Sequence, residues 1–275
     1  MKKIIKQVSD NIIQITTTDE RWYVKEVKNK KGEVIDNLFV PSVTWIAGHY
    51  PKGIGFYKWL AEHGWNEAET IKNAAGDKGS KVHNAIVDLI DGKEVKMDDQ
   101  YINNTTGQPE ELSLEEYECL MSFKNWFDEV KPKVILKETV VFNKQYGYAG
   151  TVDLVCKIGK ELYIIDFKTS QYIWPESELQ LSAYKHASKK NVKLAILQLG
   201  YRRNKNKFKF TEIEDKFNLF LAARQIWQEE NSKVVPLQKD YPISLLLNTA
   251  DAKPKKNAVH NKQVVKKVSQ HPIRR

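Results

Sequence analysis

Three residues within a short stretch have the types and spacing for chemistry. They are Asp153 in Gly150-Thr151-Val152-Asp153, and Asp166 and Lys168 in Ile165-Asp166-Phe167-Lys168-Thr169. Hard divalent cations such as Mg²⁺ prefer carboxylate and carbonyl oxygens and keep several waters. Two carboxylates from adjacent strands offer oxygens on one side of such an ion and leave the other side open to water and a phosphate. A lysine beside them can steer or deprotonate the attacking water, or neutralise charge building on the phosphate. A lone Asp-x-Lys on a strand more often marks a half-buried ion pair at a strand end. A second aspartate shifts that balance, provided it shares a face with the first.

The elements that must position these residues form a β-hairpin. Residues 147–156 and 162–169 are rich in β-branched and aromatic side chains, and Lys157-Ile158-Gly159-Lys160 places a glycine between them. With Ile158 and Gly159 as the loop, Lys157 faces Lys160, Asp153 faces Ile164 and Asp166 faces Thr151. Side chains alternate across a strand, so Asp153, Asp166 and Lys168 share one face, with the carboxylates as diagonal neighbours. Val152, Leu154, Cys156, Tyr163, Ile165 and Phe167 take the other. A slip of one residue would turn Asp153 toward Ile165 and Phe167, so the apolar pattern selects this pairing.

Upstream, residues 4–40 alternate between apolar and polar, with turn signals at Ser9-Asp10-Asn11 and Asn29-Lys30-Lys31-Gly32, and read as an antiparallel sheet of two to four strands. Ser42 is placed to cap a helix start at 41–44. Helical spacing recurs over 53–63, closed by Gly64, and over about 66–90, with a break near Gly76 and one face formed by Val82, Ala85, Ile86 and Leu89. Residues 91–111 are polar and read as a long loop. A helix over 114–130 and a strand over 133–142 precede the hairpin. A helix from Pro175 to about 190, strands over 194–201 and 208–213, and a helix over 214–230 follow it. This order predicts an α/β (α+β) chain with a mixed sheet covered by helices on both faces, and no internal repeat.

The 275 residues, 41% of them hydrophobic, suffice for a full core. The formal charge is +9, but residues 249–275 carry eight basic residues against Asp251 alone, so the tail accounts for +7 of it. Basicity is therefore weak evidence that the folded part binds an acidic polymer. The expected organisation is an N-terminal sheet over 1–40, a main domain over 41–248 with the loop 91–111, and a disordered basic tail over 249–275. Cys119 and Cys156 form no spaced motif and read as buried thiols of a reducing compartment. No apolar run is long enough to cross a membrane, and polar residues interrupt any signal-peptide core after Met1-Lys2-Lys3. The expected location is the cytoplasm.

Gly150-Thr151-Val152-Asp153, Ile165-Asp166-Phe167-Lys168-Thr169 and Gln180-Leu181-Ser182-Ala183-Tyr184 together resemble the PD-(D/E)XK nuclease superfamily, within it the RecB-like nucleases and their phage exonuclease relatives. Gly79-Ser80-Lys81-Val82-His83 resembles the helix that carries a histidine in the RecB-like group, and Glu138 fits the glutamate expected on the strand before the hairpin. The likeness runs from about residue 41 to 201. Here Val152 stands where the superfamily name has proline, and Asp166 where many members have glutamate.

The resemblance implies a restriction-endonuclease-like core and a bacterial or phage-encoded, metal-dependent DNA exonuclease of recombination, replication or repair, working at a single- or double-stranded end. It implies one or two Mg²⁺ ions, with Mn²⁺ admitted because imidazole suits transition ions, and a recombination or replication protein as partner. Carried over by position, His83, Glu138, Asp153, Asp166 and the Phe167 carbonyl hold metal. Lys168, Asp153 and Asp166 are catalytic, with Lys168 the base or water-orienting residue. Gln180 and Tyr184, four apart on one helix face, support the site or touch the strand. Arg202 and Arg203, in a basic turn, read as phosphate contacts, and Trp174 as a base-stacking platform. The alternatives are a flap- or branch-specific endonuclease, and a catalytically silent nucleic-acid-binding protein.

Overall fold

The long apolar hairpin forms, and the rest of the core is laid against its two faces. The computed structural model describes residues 4–17 and 20–234, which belong to one compact unit. The basic tail expected over 249–275 lies outside the described residues. The first four strands, β1 (Ile4–Ser9), β2 (Ile12–Thr16), β3 (Arg21–Lys28) and β4 (Val34–Pro41), pair antiparallel in chain order. A short helix α1 (Val43–Ala47) follows, and Ser42 caps it by accepting from the Trp45 N–H at 3.1 Å.

Helix α2 (Ile54–Ile90) is interrupted at Gly64, whose φ of 72° only glycine adopts without strain. Gly76 does not break it: helical backbone continues through that position. The expected loop over 91–111 instead contains a small hairpin, β5 (Gln100–Ile102) with β6 (Pro109–Glu111). Its strands are only three residues each, too short for an alternating pattern to reveal them. Helix α3 (Leu114–Val130) opens with a capping box between Ser113 and Glu116.

The main sheet holds β7 (Lys133–Asn143), β8 (Tyr148–Ile158), β9 (Glu161–Lys168), β10 (Lys193–Leu199) and β11 (Phe208–Ile213), in the order β11-β10-β9-β8-β7. Only β9 and β10 run parallel, and helix α4 (Pro175–Ser188) makes the crossover between them. Helix α5 (Phe217–Glu230) closes the described chain. The fold is thus a mixed α/β core with a five-stranded sheet between helices, plus a four-stranded antiparallel sheet, as the sequence predicts.

Two apolar clusters sandwich the main sheet. Leu154, Cys156, Tyr163, Ile165 and Phe167 face Val82, Ala85 and Ile86 of α2 and Leu120, Phe123 and Trp126 of α3. Val155 and Ile164 face Leu179, Leu181 and Tyr184 of α4, with Phe220 and Trp227 of α5. The N-terminal sheet adds to the core rather than standing apart. Trp22, Trp45 and Trp227 meet edge to face, with ring centroids 5.2–6.1 Å apart. Ile12, Tyr23 and Val40 pack on Ala149 of β8.

The hairpin register differs from the expected one by two residues. Ile158 pairs with Glu161 and Leu154 with Ile165, so Gly159 and Lys160 form the loop, with Gly159 at φ 60°. The loop chooses the position whose left-handed backbone glycine tolerates. A shift of two keeps Leu154, Cys156, Tyr163 and Ile165 on the expected face along the paired stretch, and Phe167 with them. Regular β8–β9 pairing ends at Leu154↔Ile165, while β8 continues against β7. Asp153 and Asp166 lie one step beyond the last regular pair. Beyond that point Val152 departs from the expected face and packs in the cluster with Val155 and Ile164.

Tyr184 lies so close to Gly150 that an added Cβ would come within 2.4 Å of its ring. Replacing Gly150 by alanine should therefore cost about 1–3 kcal/mol through overpacking, read as a lower urea midpoint. The double change with Tyr184→Leu should recover part of the loss. An unchanged midpoint for Gly150→Ala would show that the contact is not tight.

Candidate metal centre

The site opens where the β8–β9 ladder ends. The flanking pairs Lys137↔Leu154 and Thr139↔Val152 leave Glu138 level with Asp153 but outside the ladder. Its backbone is left-handed, with φ 43°. A non-glycine residue in that region is strained by about 1–3 kcal/mol, and such strain gathers at functional sites. Here it accompanies the glutamate expected to bind metal.

His83, Glu138 and Asp153 offer ligand atoms that all lie within 4.8 Å of one another. They come from α2, β7 and β8. His83 Nε2 is 3.0 Å from the Phe167 carbonyl oxygen, and its Nδ1 is 3.6 Å from Asp153 Oδ1. The other oxygen of Asp153 accepts from the Phe167 N–H at 2.8 Å. The Phe167 peptide thereby bridges the histidine and the aspartate, and its carbonyl sits beside the cluster. Glu138 is exposed by surface area, yet its carboxyl is held above the ordinary carboxylate range. Partial desolvation against the cleft walls is the largest cause, followed by repulsion from Asp153, while His83 opposes both.

Asp166 occupies the floor and is only 1% exposed. Its Oδ1 accepts from Gln180 Nε2 at 2.9 Å. Its Oδ2 has no well-angled hydrogen bond and is balanced by the Lys168 ammonium at 2.5 Å, an ion pair rather than a directional bond. Burial pushes the Asp166 carboxyl up to about 6; Lys168 pulls against this, and Asp153 adds to it. Burial alone would lower the Lys168 ammonium, but Asp166 and then Asp153 outweigh it and hold it raised.

Gln180 also donates to Tyr184 Oη at 2.9 Å. Tyr184 is buried, so this side chain braces Gln180 from behind and does not present a face to a strand. Tyr23 of β3 reaches the same region, its hydroxyl 3.1 Å from Thr151 Oγ1 and 2.7 Å from Gln14 Nε2.

The residues expected to touch nucleic acid lie outside this core. Trp174 is exposed at the N-cap of α4. Arg203 lies over the ring of Tyr172, 5.7 Å from its centre. Arg202 is 3.2 Å from Glu115 Oε1. Tyr172 was not singled out by sequence, because an isolated aromatic in a polar stretch has no pattern to mark it.

The donor set suits a divalent cation. Carboxylates and a peptide carbonyl satisfy a hard ion, and an imidazole admits a transition ion. The buried Oδ2 of Asp166, which has the Lys168 ammonium but no well-angled hydrogen bond, keeps acceptor capacity for a second cation.

No protein-family description matches the chain, and no curated protein matches it. Among solved structures it is similar to an alkaline exonuclease (LHK-Exo) from Laribacter hongkongensis, at 12% identity and a TM-score of 0.37, over 70% of this chain and 87% of that one. It is also similar to SSO0001, at 14% identity and a TM-score of 0.28, over 46% of this chain and 68% of that one. Likenesses this distant carry no argument about activity.

Asp166 yields a pH signature. Its folded value lies above its ordinary 3.8, so the metal-free folded chain holds a proton that the unfolded chain has released. The resulting stability is complete below about pH 4 and is lost as pH rises through about 6, by up to about 3 kcal/mol. In EDTA, wild type should lose stability relative to Asp166→Asn between pH 4.5 and 7, measured by chemical denaturation. A gap that does not change with pH would contradict the buried carboxyl.

Proposed function

We propose that this chain is a metal-dependent DNA nuclease that hydrolyses phosphodiester bonds, acting as an exonuclease in phage or bacterial recombination, replication or repair. The observation that carries the reading is the convergence of His83, Glu138 and Asp153 within 4.8 Å, beside the buried Asp166–Lys168 pair. A merely structural ion pair has no need of a second and third carboxylate against the first. A passive binder of polyanions gains nothing from acids facing its ligand.

Asp153, Glu138, His83, Asp166 and the Phe167 carbonyl would hold Mg²⁺ or Mn²⁺. When bound, such an ion polarises a phosphoryl oxygen, activates water and stabilises the leaving oxyanion. Lys168 keeps its proton beside Asp166, so its part is to orient water and balance charge on the phosphate rather than to start as a free base. Gln180 holds one oxygen of Asp166 and so sets the rotation of that carboxylate. Tyr184, pinned between Gln180 and Gly150, keeps Gln180 in place. Gln180 and Tyr184 act through Asp166 and are positioning residues.

Asp153→Ala and Lys168→Ala should each abolish Mg²⁺- or Mn²⁺-dependent cleavage of end-labelled single- and double-stranded oligonucleotides, with far-UV circular dichroism unchanged. Full activity in either variant would sink the assignment. Linear duplex should be degraded while closed circular duplex survives; cutting of the closed circle would replace the exonuclease with an endonuclease.

A further inference from the structure

A cleft of about 630 Å³ opens beside the candidate centre. Its inner end is formed by His83, Phe167 and Lys168, one wall by Ala75, Gly76, Gly79 and Ser80 of α2, and the other by residues 169–171. The helical wall is bare: a Cβ added at Gly76 or Gly79 would meet nothing within 4 Å. A chain can therefore lie against this turn of α2 without displacing side chains.

Besides Lys168, two further cations line the same cleft, Lys78 from α2 and Arg202 from the turn after β10. Both converge on a single carboxylate from a third element, Glu115 in the first turn of α3. Lys78 Nζ is 2.7 Å from its Oε2, and Arg202 Nη2 is 3.2 Å from its Oε1. One carboxylate bridging an ammonium and a guanidinium makes the kind of contacts that two oxygens of a phosphodiester can also make. Glu115 and Arg202 are 60% and 66% exposed at their side chains, so this arrangement is worth little to folding and is readily exchanged.

The arginine's loop is nonetheless held in place. The Arg202 N–H donates to Gln171 Oε1 at 3.0 Å, Gln171 Nε2 donates to the Gly200 carbonyl at 2.9 Å, and Gln198 Nε2 donates to the Ser170 carbonyl at 3.0 Å. The cleft is therefore a set backbone frame carrying exchangeable charges.

We propose that this cleft is a phosphate subsite for the nucleic acid strand flanking the candidate metal centre, and that Glu115, which pairs with two of its lining cations, is an internal counter-anion that a backbone phosphate displaces. The proposal deepens the nuclease reading and rests on it for the identity of the ligand. Lys78 and Arg202 are strand-binding residues, and Glu115 sets the threshold for binding.

The test is fluorescence anisotropy of a labelled single-stranded oligonucleotide in EDTA, titrated across salt concentrations with the full chain. Lys78→Ala and Arg202→Ala should each weaken binding and reduce the slope of log affinity against log salt by about 0.7, the loss expected for one phosphate contact on a single strand. Glu115→Gln should bind several-fold tighter than wild type. Lys78→Gln, which keeps the side-chain stem on α2, replaces Lys78→Ala if that variant fails to fold. Unchanged affinity in the two cation variants, or no tightening in Glu115→Gln, overturns the subsite.

Mg²⁺-dependent cleavage by wild type, measured on the same preparation, separates the two readings. Cleavage by wild type together with unchanged binding in the variants removes the subsite and leaves the nuclease. No cleavage by wild type, together with weakened binding in both cation variants and tighter binding in Glu115→Gln, removes the nuclease and leaves the phosphate site.

Discussion

A carboxylate buried at the end of a central strand is the constraint on which this structure turns. Asp166 has lost nearly all contact with water, and an uncompensated charge there would cost several kcal/mol. Compensation comes in layers. Lys168 balances one oxygen and Gln180 bonds the other. Tyr184 receives the second hydrogen bond of Gln180, and the missing side chain of Gly150 makes room for Tyr184. Four residues from β8, β9 and α4 are thus committed to one acid. None of those contacts serves the apolar core better than a leucine at position 166 would. The arrangement makes physical sense when a cation is the intended partner of that acid, because the same carboxylate then changes from a cost to a source of binding energy.

The centre also depends on a local failure of regularity. Regular pairing between β8 and β9 stops at Leu154↔Ile165, and Glu138 leaves the β7–β8 ladder in a left-handed conformation. Continued ladders would sheath Asp153 between two neighbouring backbones. Their interruption lets His83 reach the Phe167 carbonyl from α2 while Gln180 reaches Asp166 from α4. The Phe167 peptide is the junction, giving its N–H to Asp153 and its oxygen to His83. Its side chain meanwhile anchors in the aromatic cluster with Phe123. A strained backbone persists only where its surroundings hold it, and here the docked N-terminal sheet, with Tyr23 on Thr151, supplies part of that support.

Local pattern made much of this legible. Alternation placed Leu154, Cys156, Tyr163, Ile165 and Phe167 on one apolar face, and that result survived a register two residues away from the expected one because the period of a strand is two. Asp153 lies beyond the last regular pair, where Val152 has changed face. Capping chemistry marked Ser42, and helical spacing marked α3. Short elements escaped: β5 and β6 are three residues each, below the length at which periodicity speaks. Gly76 suggested a break that packing overrode, because glycine in a helix costs only about 1 kcal/mol. Tyr184 read equally well as a strand contact or a packed support, and only its burial separates the two.

By itself the sequence determined the longer strands and helices, the apolar face of the hairpin, and a resemblance whose motifs named His83 and Glu138 as companions of Asp153, Asp166 and Lys168. These follow from local periodicity and residue chemistry, which need no knowledge of distant neighbours. Tertiary structure alone decided that His83, Glu138 and Asp153 come within 4.8 Å, that Asp166 lies buried while Glu138 is exposed, and that Lys78 and Arg202 share Glu115. Those outcomes depend on where the ladders end and how α2 and α3 cross the sheet. Packing between segments far apart in the chain sets both, and no local spacing encodes them.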